Sequence, residues 1–286
     1  MNRITNLQHL ACISKAEQEG LICSLLSPSA TDASIFGAKT ANLAKAAQFG
    51  FVVPTSLAIS RLYAKEEFAL MAQEILKELS PPIAVRSSAV KEDSATKAFA
   101  GVFETHLGIR TTAEFINAFA AVKNSGKTDM VKKYHGEAVS SRHIAVLVQR
   151  MVNATRAGVA FSRDPNTGVP NIIIESNYGL GKSVVDGDVT PDSIEYLEDG
   201  TYKTIVGRKS IQITLVENGI QTKNTSTEDS QRCSLTCEEI KEIAKLTQKV
   251  EHNLGFATDI EWAFDSDGQL WLLQARPITT LLDLEK

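Results

Sequence analysis

The stretch TDIEWAFDSDGQLWLLQARP, Thr258 to Pro277, decides how this chain is read. Two apolar and aromatic runs flank an Asp-Ser-Asp-Gly turn, the signal of a β-hairpin. If the turn pairs Phe264 with Gln269, odd positions of the first strand share a face with even positions of the second, because side chains alternate along a strand. Asp259 and Glu261 then project with Gln274 and Arg276, while Ile260, Trp262, Phe264, Trp271, Leu273 and Ala275 make the opposite face, a core. Two carboxylates, an amide and a guanidinium gathered above such a core are unfavourable unless something binds them. A divalent cation on the carboxylate and amide oxygens, with a phosphate against the arginine, satisfies all four. A hairpin whose polar face simply meets water is the alternative that the hairpin alone leaves open.

The remaining composition narrows the field. A chain of 286 residues makes one large or two medium domains with a real core. Hydrophobic content of 43% and charged content of 22% are ordinary globular values. A net charge of −4 and a pI near 5.8 argue against a nucleic-acid or membrane-surface protein. No apolar run is long enough to span a bilayer, and the N-terminus lacks a signal-peptide core, so a cytoplasmic protein is expected. Cys12, Cys23, Cys233 and Cys237 are few for a disulfide framework. Cys233 and Cys237 have no second pair at zinc-site spacing, so free thiols are expected.

Upstream, residues 1–34 stay unassigned. In FGAKTANLAKAAQFGFVVP, Leu43, Ala46 and Ala47 give a small helical stripe, Gly50 sits at a C-cap position, and FVVP reads as a short buried strand. Gly37 and Lys39 open that helix, so a lysine and free backbone amides form an anion site, or else a solvated helix start. Leu62 to Leu79 reads as an amphipathic surface helix. Ile83, Ala84 and Val85 form a buried strand running into Arg86, Ser87 and Ser88, which suits a phosphate. Lys91-Glu92-Asp93 reads as a loop and Ala98 to Gly101 as a turn before the strand VFETHLGI. HIAVLVQRMV, His143 to Val152, suits a central strand, with Gly158 to Ser162 as its hairpin partner and Asn171 to Glu175 as a third strand. GLGKS is not a phosphate loop, because the first glycine of that motif would fall at Ser176; Gly179 and Gly181 read as flexible loop glycines. Glu195 to Val216 reads as a strand pair and 217–233 as a mobile polar excursion. Thr236 and Glu239 form a capping box for a helix closed by Gly255, with Ile240, Ile243, Ala244 and Val250 as its core face.

Four segments, in this order, together resemble one family. They are GAKTANLAKAAQFGFVVP, IAVRSSAVKEDSATKAFAGVFETHL, VLVQRMVNATRAGVAFSRDPNTG with YGLGKSVVDGDVTPD, and DIEWAFDSDGQLWLLQARPITT. They are similar to the ATP-binding domain of phosphoenolpyruvate synthase and pyruvate phosphate dikinase, also present in rifampin phosphotransferase. The resemblance spans about residues 35–280. It implies an α+β, ATP-grasp fold with nucleotide held between two lobes, here 1–140 and 141–286. It carries the phosphate-binding lysine onto Lys39, the strand-end arginine onto Arg86, and the adenine-side segment onto Gln149, Arg150, Met151 and Val152. The metal ligands fall on Glu261, Gln274 and Asp259, and a phosphate-binding arginine falls on Arg276. ATP and Mg2+ are thus the implied cofactors, with Lys39, Arg86 and Arg276 neutralising phosphate charge in transfer.

Full-length relatives carry a glycine-rich segment ending in a phosphorylatable histidine. His9, His106, His135, His143 and His252 stand in contexts that do not match it. The expected activity is that of an ATP- and magnesium-dependent phosphotransferase subunit or domain, similar to a pyruvate, water dikinase. It would cleave ATP to AMP and phosphate and phosphorylate a histidine on a separate protein or domain for onward transfer to a small molecule that the sequence does not identify, without nucleic-acid or membrane partners. A kinase or ligase acting directly on a small molecule, and a nucleotide-binding module without turnover, are the other readings.

Overall fold

The computed structural model of the chain describes residues 14–63, 68–89, 104–125 and 143–283. Two compact units emerge. One comprises Met1–Ala44, Pro54–Glu92 and Phe99–Met151; the other comprises Lys45–Val53, Asp93–Ala98 and Val152–Lys286.

The first unit is built on a five-stranded antiparallel sheet in the order β1-β2-β5-β3-β4. Its strands are β1 (Ile22–Ser24), β2 (Ser56–Ile59), β3 (Ile83–Ala89), β4 (Thr105–Ile109) and β5 (Ile144–Arg150). The apolar run of β5 is central, as its composition predicts, and Ile144 to Val148 are all buried. Alternation sends Ile83, Val85, Val146, Val148 and Ile59 to one face. There they meet α3 (Phe68–Leu79) and α4 (Thr112–Asn124) through Phe68, Ile75, Phe115 and Phe119. Phe68 stacks on Phe119 with ring centroids 3.8 Å apart. Each such side chain contributes roughly 1.5–3 kcal/mol by leaving water. The amphipathic helix expected from Leu62 is described from Phe68, with Gln73, Lys77 and Glu78 exposed on its outer face; residues 64–67 lie outside the described residues. Two short helices, α1 (Ala33–Phe36) and α2 (Ala38–Gln48), precede β2.

FVVP is not a strand. Val52 is 44% exposed, its carbonyl accepts from Leu272 N at 2.9 Å, and the ladder begins only at Ser56. Pro54 has no N–H to donate, so pairing starts beyond it. Gly158 to Ser162 is not the hairpin partner of β5 either. Both edges of β5 are already taken by β2 and β3, which leaves no room for a further strand.

The second unit holds a six-stranded antiparallel sheet in the order β13-β12-β6-β7-β8-β9. These strands are β6 (Ala154–Phe161), β7 (Ile172–Tyr178), β8 (Asp192–Tyr196), β9 (Tyr202–Ile205), β12 (Thr258–Asp265) and β13 (Leu270–Pro277). The strands β10 (Ile211–Val216) and β11 (Gly219–Asn224) pair with each other, and α5 (Lys182–Val185) and α6 (Thr227–Ser230) are single turns. The polar stretch 217–233 therefore contains a strand and a helical turn. The long helix α7 (Cys237–Leu254) has the expected capping box and ends at Gly255, whose φ is 79°. Ile240, Ile243, Ala244 and Val250 are buried where it lies against β6, β7 and β12.

Gly179 is fixed rather than flexible. Its φ is 76°, a Cβ there would stand 2.2 Å from Ile213 O, and the next amide, Leu180 N, donates to that oxygen at 2.7 Å. Gly181 caps α5. Below, Asp192 and Lys209 are both fully buried. Asp192 Oδ1 accepts from Lys209 Nζ at 2.5 Å and from Gly207 N at 2.9 Å. Its Oδ2 accepts from Ser234 N and Ser234 Oγ at 2.7 Å each. The charge pair thus joins β8, the lead into β10 and the lead into α7 with its hydrogen bonds made.

Candidate functional site

In the first unit the polar face of the sheet is the one opposite α3 and α4. Arg86 and Ser88 share it with Gln149, since β3 runs against β5 with Ala84 opposite Gln149 and Arg86 opposite Leu147. Gln149 is buried, and Arg86 is half-buried. The start of α2 is seated on this strand. Thr40 N donates to Ser88 Oγ at 3.1 Å, and a Cβ on Gly37 would stand 2.1 Å from Ser88 O, so only glycine allows the approach. Lys39, half-buried in the first turn of α2, is thereby carried to the strand face that bears Arg86. Beyond β5, Met151 donates its N–H to Pro82 O at 2.9 Å and receives the Gly108 N–H on its sulfur. Val152, also half-buried, opens the second unit's main stretch.

In the second unit the hairpin register is Asp259 opposite Arg276 and Glu261 opposite Gln274. A bulge follows Glu261, so that Trp262 meets Leu272 and Phe264 meets Leu270. The four polar residues share a face as expected. The apolar face differs near the turn: Leu270 and Leu272 are buried, whereas Trp271 and Leu273 are half-buried. Trp271 Nε1 donates to Asp265 Oδ2 at 2.7 Å, which clips the turn. Asp259 is 6% exposed and is gripped by Arg276 through Nε at 2.8 Å and Nη2 at 2.7 Å.

The sheet adds a residue that the linear reading missed. Val159 lies opposite both Glu261 and Glu175, so Glu175 of β7 stands two strands from Glu261 on the same face. Burial pushes the Glu175 carboxyl up, and the Asp259 charge pushes it further. Burial also pushes the Asp259 carboxyl up, against the pull of Arg276, with Glu261 adding to the rise. The available signal was a carboxylate at the end of the apolar run IIIE, which read only as the end of a strand.

The donor set suits a hard cation. Glu261 and Gln274 are direct cross-strand neighbours offering oxygens. Among the described residues no group of three His, Cys, Asp or Glu side chains is spaced to hold a metal alone. Magnesium is commonly held by one or two carboxylates together with phosphate oxygens and water, so such a partial set fits it. Cys23, Cys233 and Cys237 are free thiols, and among the described residues no helix is long and apolar enough to cross a membrane.

Each of the two units thus presents a polar sheet face that carries charged side chains. The chain belongs to the family described as pyruvate phosphate dikinase, AMP/ATP-binding domain, whose model matches residues 63–286. It is therefore an ATP-binding module. It is 37% identical over 214 residues to an uncharacterized phosphotransferase, YvkC, of Bacillus subtilis, covering 72% of this chain and 25% of that one. It is 35% identical over 248 residues to phosphoenolpyruvate synthase of Pyrococcus furiosus, covering 78% and 30%. Among solved structures it is similar to VanG D-Ala:D-Ser ligase of Enterococcus faecalis at 15% identity and TM-score 0.43, covering 92% and 63%. The chain spans 25% to 30% of the length of these two curated relatives.

Proposed function

We propose that the chain is the ATP-cleaving part of a phosphotransferase that passes a phosphoryl group to a histidine on a separate protein or domain. The observation that carries the reading is the paired set on the hairpin face, Glu261 with Gln274 and Asp259 with Arg276. In this reading Glu261 and Gln274, with Asp259 beside them, hold a magnesium ion, which supplies charge neutralisation at the phosphates. Lys39, Arg86 and Arg276 bind and orient phosphate oxygens, and Gln149, Met151 and Val152 receive the base. Burial of Asp259 and Gln274 excludes water from part of this face and strengthens those interactions. Overall, ATP, water and the histidine yield AMP, phosphate and phosphohistidine.

The test is to incubate pure protein with ATP and magnesium, with and without a histidine-bearing domain from a relative, and to follow AMP and ADP. AMP that forms only with that domain, together with phosphohistidine, is the expected result. ADP formed with a small-molecule acceptor alone would overturn it in favour of a direct kinase or ligase.

A further inference from the structure

We propose that a contact between Gly108 and Met151 is a positioning device that sets affinity for the base of the nucleotide. The inference rests on the assignment of residues 149–152 to the base. Leaving β5, this segment is fastened on both sides: Arg150 N donates to Thr55 O and Met151 N to Pro82 O, each at 2.9 Å. A third tie comes from β4. Ile83 lies opposite Ile109 but Val85 lies opposite His106, so β4 carries one residue more than β3 between these pairs. That bulge contains Gly108, whose φ of 77° is one that L side chains rarely adopt. Its N–H meets Met151 Sδ at 2.9 Å.

A methionine side chain has three rotatable bonds and no shape of its own. Anchoring its sulfur on a backbone N–H from a neighbouring strand orders it before any ligand arrives. Ordering done beforehand is not charged against binding, so affinity rises for whatever part of the ligand touches the segment. The phosphates, assigned to Lys39, Arg86 and Arg276, draw no benefit from it. Loss of the sulfur contact should therefore separate the base from the phosphates.

The experiment is calorimetric titration of ATP and of inorganic tripolyphosphate, both with magnesium, into wild type, Met151→Leu and Met151→Gln. Leucine keeps the apolar bulk and removes the acceptor; glutamine restores an acceptor at similar reach. Met151→Leu is expected to weaken ATP roughly fivefold to tenfold and tripolyphosphate less than about twofold. Met151→Gln is expected to recover most of the ATP affinity. Unchanged ATP binding in Met151→Leu, equal weakening of both ligands, or no recovery in Met151→Gln overturns the proposal. Wild type that binds ATP no better than tripolyphosphate overturns instead the assignment of 149–152 on which it rests.

Discussion

Arg276 places two guanidinium nitrogens, Nε at 2.8 Å and Nη2 at 2.7 Å, on a single oxygen, Oδ2, of Asp259. The carboxylate is almost wholly buried, so the arginine has a structural duty besides any part in binding phosphate. Removing one partner of such a pair strands the other charge away from water. Arg276→Ala is expected to lower stability by about 3 kcal/mol in urea unfolding, and adding Asp259→Asn should recover most of that loss. A single variant as stable as wild type would show that the pair contributes nothing.

Glu261 offers a cleaner test of the metal assignment, because it is half-buried on the sheet face beside Gln274. Glu261→Gln keeps the shape and removes the charge. Affinity for ATP with magnesium is expected to fall at least about tenfold, equivalent to about 1.4 kcal/mol. The urea midpoint should stay close to that of wild type. Magnesium-dependent binding that survives unchanged would remove Glu261 from the metal site.

Glu175 gives a pH dependence whose sign follows from its raised carboxyl. A folded-state pKa above the unfolded value adds stability at low pH, and this is lost as pH rises through the folded value. At neutral pH, without ligand, the ionised side chain therefore disfavours the fold. Glu175→Gln is expected to raise the melting temperature at pH 7 and to have little effect near pH 4, as read by thermal scans across pH. A larger gain at pH 4 than at pH 7 would reverse the sign and refute the argument.

Lys209 and Asp192 are sealed from water and tie three segments together. Lys209→Met leaves Asp192 with its neutral donors but no counter-charge. A loss of about 3 kcal/mol is expected, against near-neutral behaviour for a surface lysine. Equilibrium unfolding measures it.

Gly37 is the hinge of contact between α2 and Ser88. With φ at 79° and a Cβ destined to stand 2.1 Å from a backbone oxygen, Gly37→Ala must shift α2. Stability is expected to fall by about 2 kcal/mol and ATP affinity to fall with it, because Lys39 rides on the same turn. Unaltered ATP affinity would separate Lys39 from the phosphates.

Local patterns settled much of this protein from sequence alone. The Thr236–Glu239 box and Gly255 bounded α7, whose apolar spacing chose its buried face. Alternation put Asp259, Glu261, Gln274 and Arg276 together, and the four-segment pattern identified the family. These signals act over a few residues, within reach of propensity, capping and strand periodicity. Only the tertiary structure decided that β6 leaves β5 for another sheet, that Glu175 joins the hairpin face from β7, that Asp192 finds Lys209, and that Gly108 meets Met151. Each of these depends on which strands become neighbours. That choice is made by competition among edges and faces far apart in the chain, and no local spacing records it.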